Sequence, residues 1–560
     1  MTHERTDATL LRAREGFERR AWSETVAALS EAAARTALAP HDLERLAVAA
    51  YMSGRDDVAT AAMALAHDGY LAGEEMRRAS RSAFWLALWR LERGERAHAS
   101  GWLALAERAV QSAPAECAER GLLVVPVALR AVADGDVVGA LALFDEMARI
   151  GSRCGDVDVV ALARQGQGRA LLHLGEVTRG LTHLDEAMLA ATHERASPMA
   201  VGVVYCSVLD ACREIGDVRR AREWTHALSD WCEGQPDLVP YRGQCMVHRA
   251  ELLRLSGAWP EALQESDRAC DWLVGPPSRP GLASAHYVRG EVLRSMGRLD
   301  EAEASYDRAR DRGVSAQPGI ALLHAAQGRT SAAARELDHE LRAAHGPVAR
   351  ARLLPACVDT ALAAGDVAGG RAAAEELAGI ARAFDTPYLQ ALACRAEGAV
   401  ALAAGDGAEA LTALRGALAA FGSLDISFDV ALTRLLEARA HRLLHDAESA
   451  GEAQRAAQRT FERLGVAGGA AGVVGDRAAV RGLTSREIEV LGLVATGASN
   501  KAVGARLGIR DRTVERHLTN LFAKLGVASR TAATAYAFRH GLIGGEADPE
   551  HDGTEMGGTT

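Results

Sequence analysis

The side chains best suited to chemistry cluster between residues 510 and 525, where charged and polar residues recur with helical spacing. If a helix here buries Val514, Leu518 and Leu521, the opposite face points outward. Arginine can bind guanine through two hydrogen bonds, asparagine can bind adenine, and glutamate can accept from cytosine. The alternative is a solvated charged face with no ligand. The predicted base-reading residues are Arg512, Glu515, Arg516, Thr519 and Asn520, with Ala523 on the same outward face.

A second group of side chains lies near predicted helix ends, where contacts to phosphates position a protein without reading sequence. This group comprises Lys501, Thr513, Lys524 and Arg530. Residues 481–543 carry ten basic and four acidic side chains, a net charge of +6, whereas residues 544–560 carry −5 and residues 1–480 carry −11. A basic module within an acidic chain is expected when one segment binds nucleic acid.

Other reactive chemistry has little support in the sequence. Lys501 and Lys524 are the only lysines, so the first 500 residues contain neither a G-K-[ST] phosphate loop nor a catalytic lysine. The nine cysteines form no C-x-x-C pair and no zinc-type spacing with histidine, and no G-x-S-x-G elbow is present. We therefore predict reduced core thiols, no catalytic residue, no metal site, no cofactor and no enzyme activity.

Capping residues divide residues 483–543 into four predicted helices. Thr484 begins a capping box for the first helix, and Ser499 and Ser529 cap the second and fourth. The third helix is predicted to begin near Asp511, which is a candidate cap because Arg510 precedes it. Two short helices joined by a tight turn, the second of them basic, fit a helix-turn-helix whose second helix enters the major groove.

The same segment resembles the LuxR/FixJ-type DNA-binding domain over some 60 residues, and it departs from that pattern at Arg510, where a serine is usual, and at Glu515, where lysine is frequent. The resemblance implies that the third helix reads DNA and that the fourth pairs two domains on an inverted repeat. It assigns pairing to residues 529–540, with Ser529, Ala532, Ala533 and Tyr536 as dimerisation candidates. The matching residues are Leu483, Thr484, Arg486, Glu487, Val490, Leu491, Gly497, Ser499, Asn500, Lys501, Leu507, Thr513, Val514, His517, Leu518, Lys524, Leu525, Gly526, Val527 and Arg530.

An internal repeat of about 40 residues organises the rest of the chain. A small residue follows most of its glycines after five positions, and an aspartate often follows directly. This pattern predicts a helix hairpin in which glycine ends the first helix in the left-handed conformation and aspartate caps the second. We predict about ten hairpins. The repeated glycines are Gly54, Gly94, Gly135, Gly175, Gly216, Gly257 and Gly297, followed after an irregular stretch by Gly328, Gly365 and Gly405.

The second helix of each repeat resembles the tetratricopeptide pattern, as in Gly297, Ala302, Tyr306 and Ala309, although the period is longer than the usual 34 residues. The array is similar to the sensor superhelix of MalT-type regulators, without their ATP-binding domain. Repeat arrays expose a long concave surface that usually binds a partner. One segment, residues 205–272, holds four of the eight tryptophans and is either a ligand-binding centre or interhelical core.

We therefore predict an all-α protein with a tetratricopeptide-like α-solenoid and a four-helix LuxR-type helix-turn-helix domain. The expected function is a cytoplasmic, sequence-specific transcription regulator that binds double-stranded DNA as a dimer, contacts RNA polymerase, senses a small molecule or protein on the solenoid, and has no membrane contact. The competing classes are an enzyme fused to a DNA-binding domain and a scaffold whose DNA module is vestigial. The predicted parts are residues 1–464 (repeat region), 465–482 (flexible linker), 483–543 (DNA-binding domain) and 544–560 (disordered acidic tail).

Overall fold

A computed structural model of the chain describes residues 2–193, 195–235, 237–274, 281–465, 485–495, 497–507, 509–525, 527 and 529–539. All regular secondary structure within these residues is helical, as predicted. None of the described helices is both long and apolar enough to cross a membrane. The predicted linker, apart from Gly465, and the predicted acidic tail lie outside the described residues.

Within the described part of residues 2–464, 25 helices pair as twelve hairpins, and in the fourth hairpin the first helix is split in two. The first helices are α1 (Thr2–Glu18), α3 (Pro40–Met52), α5 (Met76–Glu92), α7 (Ala118–Leu122) with α8 (Val124–Ala133), α10 (Val157–His173), α12 (Pro198–Glu214), α14 (Arg242–Ser256), α16 (Leu282–Ser295), α18 (Gly319–Ala326), α20 (Gly346–Ala363), α22 (Pro387–Ala403) and α24 (Ser427–Leu443). The second helices are α2 (Trp22–Ala33), α4 (Asp56–Ala72), α6 (Arg96–Gln111), α9 (Val137–Cys154), α11 (Val177–Ala191), α13 (Val218–Glu233), α15 (Trp259–Leu273), α17 (Leu299–Arg310), α19 (Thr330–Ala343), α21 (Val367–Phe384), α23 (Gly407–Gly422) and α25 (Ala447–Leu464).

The repeated glycines have the backbone conformation that the sequence predicts. All ten have positive φ, from 68° at Gly216 to 91° at Gly257, and each follows a first helix. The first and last hairpins use Arg20 and His445 at the same position, with φ of 59° and 61°. Because these two hairpins lack the glycine, the sequence count of about ten was too low by two.

The second helices begin and pack as predicted. Asp136, Asp217, Asp366 and Asp406 each accept a hydrogen bond from a backbone N–H in the first turn that follows. Such a cap contributes about 1 kcal/mol. The small residues five positions after the glycines lie where the two helices of a hairpin meet, and Ala302, for example, is fully buried. The hairpin is therefore specified locally, by one turn and one close helix contact.

Hairpins that are five units apart also touch, so the array coils and successive turns of the coil pack together. The indole N–H of Trp22 in the first hairpin donates to Gln235 Oε1 at 3.2 Å, just after the sixth hairpin. The Thr386 hydroxyl, at the start of the eleventh hairpin, donates to the carbonyl of Ile215 in the sixth at 2.9 Å. Both contacts are buried, and they turn a repeat array into a compact superhelix.

The C-terminal domain contains four described helices, α26 (Ser485–Ala495), α27 (Asn500–Leu507), α28 (Asp511–Leu525) and α29 (Arg530–Arg539). Ser499 accepts from the N–H of Ala502 and Ser529 from the N–H of Ala532, so both predicted caps are confirmed. Thr484, the other predicted cap, lies outside the described residues. The buried core consists of Val490, Leu491, Val494, Ala495, Val503, Val514, Leu518, Leu521, Leu525 and Ala533.

Candidate nucleic-acid interface and solenoid cavity

The turn between α27 and α28 passes so close to α27 that position 504 requires glycine, a requirement that the sequence did not reveal. A Cβ on Gly504 would lie 2.7 Å from the carbonyl oxygen of Ile509, closer than real Cβ contacts. Arg510 precedes α28, and its carbonyl accepts from the N–H groups of Thr513 and Val514 at 2.8 and 3.2 Å. Asp511 is the first residue of the helix rather than the residue before it. The close approach of the turn to α27 fixes the direction of α28.

Helix α28 has the rotation that the sequence predicts. Val514 and Leu521 are fully buried, and Leu518 is 6% exposed. The Thr519 hydroxyl donates to the carbonyl of Glu515, one turn earlier, at 2.9 Å. The burial of one stripe leaves a continuous polar face in solvent. The exposed side chains on that face are Arg512, Glu515, Arg516, Thr519, Asn520 and Ala523.

The two residues predicted to bind phosphate near the start of α27 and α28 differ in exposure. Lys501 is exposed at the second position of α27, where its ammonium can reach solvent. Thr513 is half-buried in the first turn of α28. Backbone N–H groups at such helix starts attract anions. Lys501 is therefore the more accessible of the two.

Lys524, also predicted to bind phosphate, lies in an ion pair inside the domain. Its Nζ donates to Oε2 of Glu487 at 2.8 Å, and Glu487 is 2% exposed. The pair joins the end of α28 to the first turn of α26. A carboxylate so well buried needs a counter-charge, because an isolated buried charge is costly. This geometry gives Lys524 a role in stability that the sequence did not reveal.

Arg530, the fourth predicted phosphate ligand, also bonds within the domain. Its guanidinium donates to Asn500 Oδ1 at 2.8 Å and to the carbonyl of Ala498. Asn500 is the first residue of α27, so Arg530 connects the start of α29 to the start of α27. Sequence spacing alone could not find this contact, because 30 residues separate the two partners.

The dimerisation candidates on α29 occupy different environments. Ala533 is fully buried and packs with Leu491 in the core of the domain, which corrects its assignment to a pairing surface. Ser529 is exposed and caps the helix, and Ala532 is half-buried. The side chain of Tyr536 lies outside the described set. A pairing surface on α29 must therefore avoid the face that carries Ala533.

The tryptophans of residues 205–272 pack mainly in the core. Trp259 is 1% exposed and meets the ring of Phe428 edge-on, with 5.1 Å between centroids, across adjacent turns of the superhelix. Trp224 and Trp231 are partly buried against the main core, and Trp272 is exposed. The core interpretation is therefore correct for Trp259, Trp224 and Trp231 and wrong for Trp272. The segment still contributes to a cavity through residues that the sequence did not single out.

A cavity of about 600 Å³ opens inside the solenoid, lined mainly by residues of α3, α5, α8, α10 and α12 and also by residues at the starts of α14 and α16. Its wall contains Tyr51, Trp89 and Tyr241, together with the carboxylate of Glu92. The Tyr51 hydroxyl donates to Glu92 Oε2 at 3.0 Å. The protein around the cavity raises the pKa of Glu92 to about 7, because burial disfavours the charged form and Asp56 adds negative charge, although the Tyr51 hydrogen bond opposes this.

The described residues contain no cluster of three or more histidine, cysteine or acidic side chains arranged to hold a metal ion. All nine cysteines are free thiols, half-buried or fully buried. Burial raises the pKa of the Cys357 thiol to about 12, which lowers its reactivity as a nucleophile.

Residues 481–537 match the family model described as "Bacterial regulatory proteins, luxR family". Over 61 residues the chain is 48% identical to the transcriptional regulatory protein LiaR of Bacillus subtilis and 46% identical to the response regulator protein VraR of Staphylococcus aureus. The match covers 11% of this chain and 29% of each relative, so it spans less than a third of either protein. The crystal structure of the APC/C hetero-tetramer Cut9-Hcn1 aligns with 95% of this chain and 96% of its own, at 14% identity and a TM-score of 0.39.

Proposed function

The C-terminal domain of this chain is a LuxR-family helix-turn-helix domain, and from that premise we propose that the chain is a sequence-specific, DNA-binding transcription regulator. The observation that carries the proposal is the rotation of α28. Its apolar stripe is buried, and its polar face, with Arg512, Arg516 and Asn520, is exposed. A helix held in this way can enter the major groove and present these side chains to base edges.

In this proposal the base-reading residues and the phosphate-binding residues have separate tasks. Arg512, Glu515, Arg516, Thr519 and Asn520 read base edges, and Arg516 is the strongest candidate because arginine binds guanine O6 and N7 together. The main phosphate contact is Lys501, which is exposed.

Thr513 has a lesser share of the phosphate contacts because it is half-buried. Lys524 and Arg530 favour phosphate mainly through long-range charge, since both cations already bind groups within the domain.

The whole chain is proposed to act as a cytoplasmic dimer on DNA, with the effector bound by the solenoid. Pairing through the exposed part of α29 would place two recognition helices on an inverted repeat, with half-sites about 34 Å apart. Contact with RNA polymerase would then convert binding into regulation. The cavity supports a sensor role for the solenoid, because repeat arrays commonly bind partners on their inner surface. We assign no enzyme activity to the chain.

The test compares two substitutions in the full chain on specific and nonspecific DNA. Arg516→Ala should reduce the ratio of specific to nonspecific affinity, since a bidentate arginine contact contributes about 1–3 kcal/mol of discrimination. Lys501→Ala should weaken both affinities equally and lower the slope of log affinity against log salt by about 1. The specific DNA for this comparison is first obtained by selecting, from random DNA, the sequences that the full chain binds.

Two results would contradict the proposal. Failure of the full chain to select any sequence would support the scaffold with a vestigial DNA module. An unchanged affinity ratio in Arg516→Ala, combined with its loss in Lys501→Ala, would mean that the recognition face is not the one formed by α28.

A further inference from the structure

The first helix of the fourth hairpin is interrupted beside the cavity. Helix α7 ends at Leu122 and α8 begins at Val124, with a proline two residues into α8. The short α7 packs against α5 and α9, whereas α8 packs mainly against α9. Most of α8 therefore does not fill the space between α5 and α10, where an unbroken first helix would lie.

Helix α8 is unusually apolar for a helix with so little burial. Of its ten residues, Ala128 alone is fully buried, while Val127 and Leu129 are 54% and 51% exposed. Leu129 and Val132 line the cavity, as does Phe84 on α5. Covering apolar surface of this kind with a ligand or partner is favourable, because it removes that surface from water.

The two arginines in the cavity wall lie near carboxylates of the protein, although Arg93 shares Glu95 with Arg90, which lies 2.6 Å from Glu95, and Arg93 also lies 3.9 Å from Asp57. Arg93 Nε lies 2.9 Å from Glu95 Oε1, and Arg169 Nη2 lies 3.2 Å from Glu214 Oε1. Neither Glu95 nor Glu214 lines the cavity. These arginines therefore do not leave an excess of positive charge for an anionic ligand.

The acids in the wall are less well neutralised. Asp210 lies 3.4 Å from Arg213, but Glu92 and Asp56 have no arginine, lysine or histidine in ion-pair contact among the described residues. The one side-chain hydrogen bond that Glu92 makes there comes from Tyr51, which is neutral. The uncompensated charge of the cavity is therefore negative.

An aromatic surface lies beside this charge. The rings of Tyr51 and Trp89 stack with 4.5 Å between centroids and 9° between planes, and Tyr51 is the residue that bonds to Glu92. Tyr241 lines the cavity as well and is 7% exposed. Glu92 accepts from the hydroxyl at the edge of Tyr51, and the stacking of Tyr51 on Trp89 covers one face of each ring. The carboxylate therefore supplies the attraction for an ammonium group, and the aromatic side chains supply apolar wall beside it.

We propose that the cavity binds an organic cation, with a protonated amine or quaternary ammonium group at Glu92 and an apolar body between Phe84 on α5 and Leu129 on α8. The proposal deepens the sensor role given above, on which its regulatory meaning rests. The ligand fills the space beside the broken helix, and it covers the exposed apolar side chain of Leu129 on α8. Binding is therefore coupled to the packing of α8.

The test uses three probes that share an apolar body and differ in charge: 4-phenylbutylamine, 4-phenylbutanol and 4-phenylbutyrate. Each is titrated calorimetrically into the full chain at a pH above the pKa of Glu92. The amine should bind at least tenfold more tightly than the alcohol, and the carboxylate more weakly than either. Glu92→Gln should remove the preference for the amine, whereas Glu107→Gln, on the exposed surface of α6, should keep it.

Hydrogen exchange gives an independent measurement, since amine binding should slow exchange in α8 and leave the distant α24 unchanged. The proposal is overturned if the amine does not bind at millimolar concentration, if the three probes bind equally, or if Glu92→Gln retains the preference. DNA affinity of the full chain, measured with and without the amine, separates the two proposals. If the chain binds the amine but no DNA, the proposed ligand class stands and the proposed regulator function is wrong.

Discussion

Lys524 provides the sharpest test, because the sequence predicts a phosphate contact and the structure places its ammonium 2.8 Å from a buried carboxylate. Lys524→Ala removes that cation from Glu487, which is 2% exposed. A hydrogen bond to a charged group contributes about 1.5–3 kcal/mol. The lysine side chain is 36% exposed, so solvent weakens the pair. We therefore expect a loss of about 1.5 kcal/mol in the stability of the domain.

Hydrogen exchange in the full chain measures this loss where it occurs. Amides of α26 and α28 that exchange through opening of the domain should exchange about tenfold faster in Lys524→Ala, because each 1.4 kcal/mol changes the equilibrium tenfold. Lys501→Ala is the matched control, since Lys501 is exposed and should leave exchange unchanged. The double variant Lys524→Ala with Glu487→Gln should recover part of the protection, because no charged carboxylate remains in the core.

Salt dependence of DNA affinity completes the comparison. At temperatures where both variants are folded, Lys501→Ala should reduce the slope of log affinity against log salt by about 1, and Lys524→Ala by much less. A stabilising role for Lys524 is contradicted if Lys524→Ala leaves hydrogen exchange in α26 and α28 unchanged and lowers the salt slope as much as Lys501→Ala does. Lys524 would then be a phosphate ligand, as the sequence alone suggested.

Three further predictions concern the solenoid. Positions 405 and 445 both have positive φ, which only glycine adopts without strain. In chemical denaturation, Gly405→Ala should therefore destabilise the solenoid by about 1 kcal/mol, and His445→Gly should stabilise it by up to about the same amount. Gly379→Ala, within α21, is the control and should not destabilise the solenoid. Burial raises the pKa of Glu291, but Arg294 and Arg254 outweigh it and lower that pKa to about 2, so the group stabilises the fold above its unfolded pKa. The stability difference between the wild type and Glu291→Gln should therefore shrink as the pH falls from about 5 to about 3, and a constant difference would contradict this assignment. Calorimetric affinity for 4-phenylbutylamine should fall as the pH drops through about 7, where Glu92 becomes neutral. Burial raises the pKa values of the other groups beside Glu92, namely Tyr51 on α3, Cys206 on α12 and Tyr241 before α14, away from this range. His173 on α10 also lines the cavity, and a fall of the same size in Glu92→Gln would assign the effect to that histidine.

Features set by a few neighbouring residues could be predicted from the sequence. The left-handed glycines and the aspartate caps depend on contacts within five residues, and all ten glycines have the predicted conformation. The rotation of α28 follows from the spacing of Val514, Leu518 and Leu521, because a helix can bury only one stripe against its domain. Where Arg20 and His445 replace the glycine, the local signal disappears, although the backbone conformation remains.

Features set by distant partners could not be predicted in this way. The pairs Lys524 with Glu487 and Arg530 with Asn500 join residues 37 and 30 positions apart, and a charge pattern does not reveal which partner a cation meets. The contacts between turns of the superhelix span some 200 residues, as between Trp22 and Gln235.

The cavity is the clearest case of what only the tertiary structure decided. Residues from several separated helices line it, and its charge comes from Glu92, which lacks an ion-pair partner among the described residues. The sequence by itself determined the hairpins, the helix-turn-helix and the face of α28, because each follows from contacts between near neighbours in the chain. Packing between distant segments determined the partners of the cations, the closure of the superhelix and the space inside it, because side chains far apart in sequence meet only when the whole array has folded.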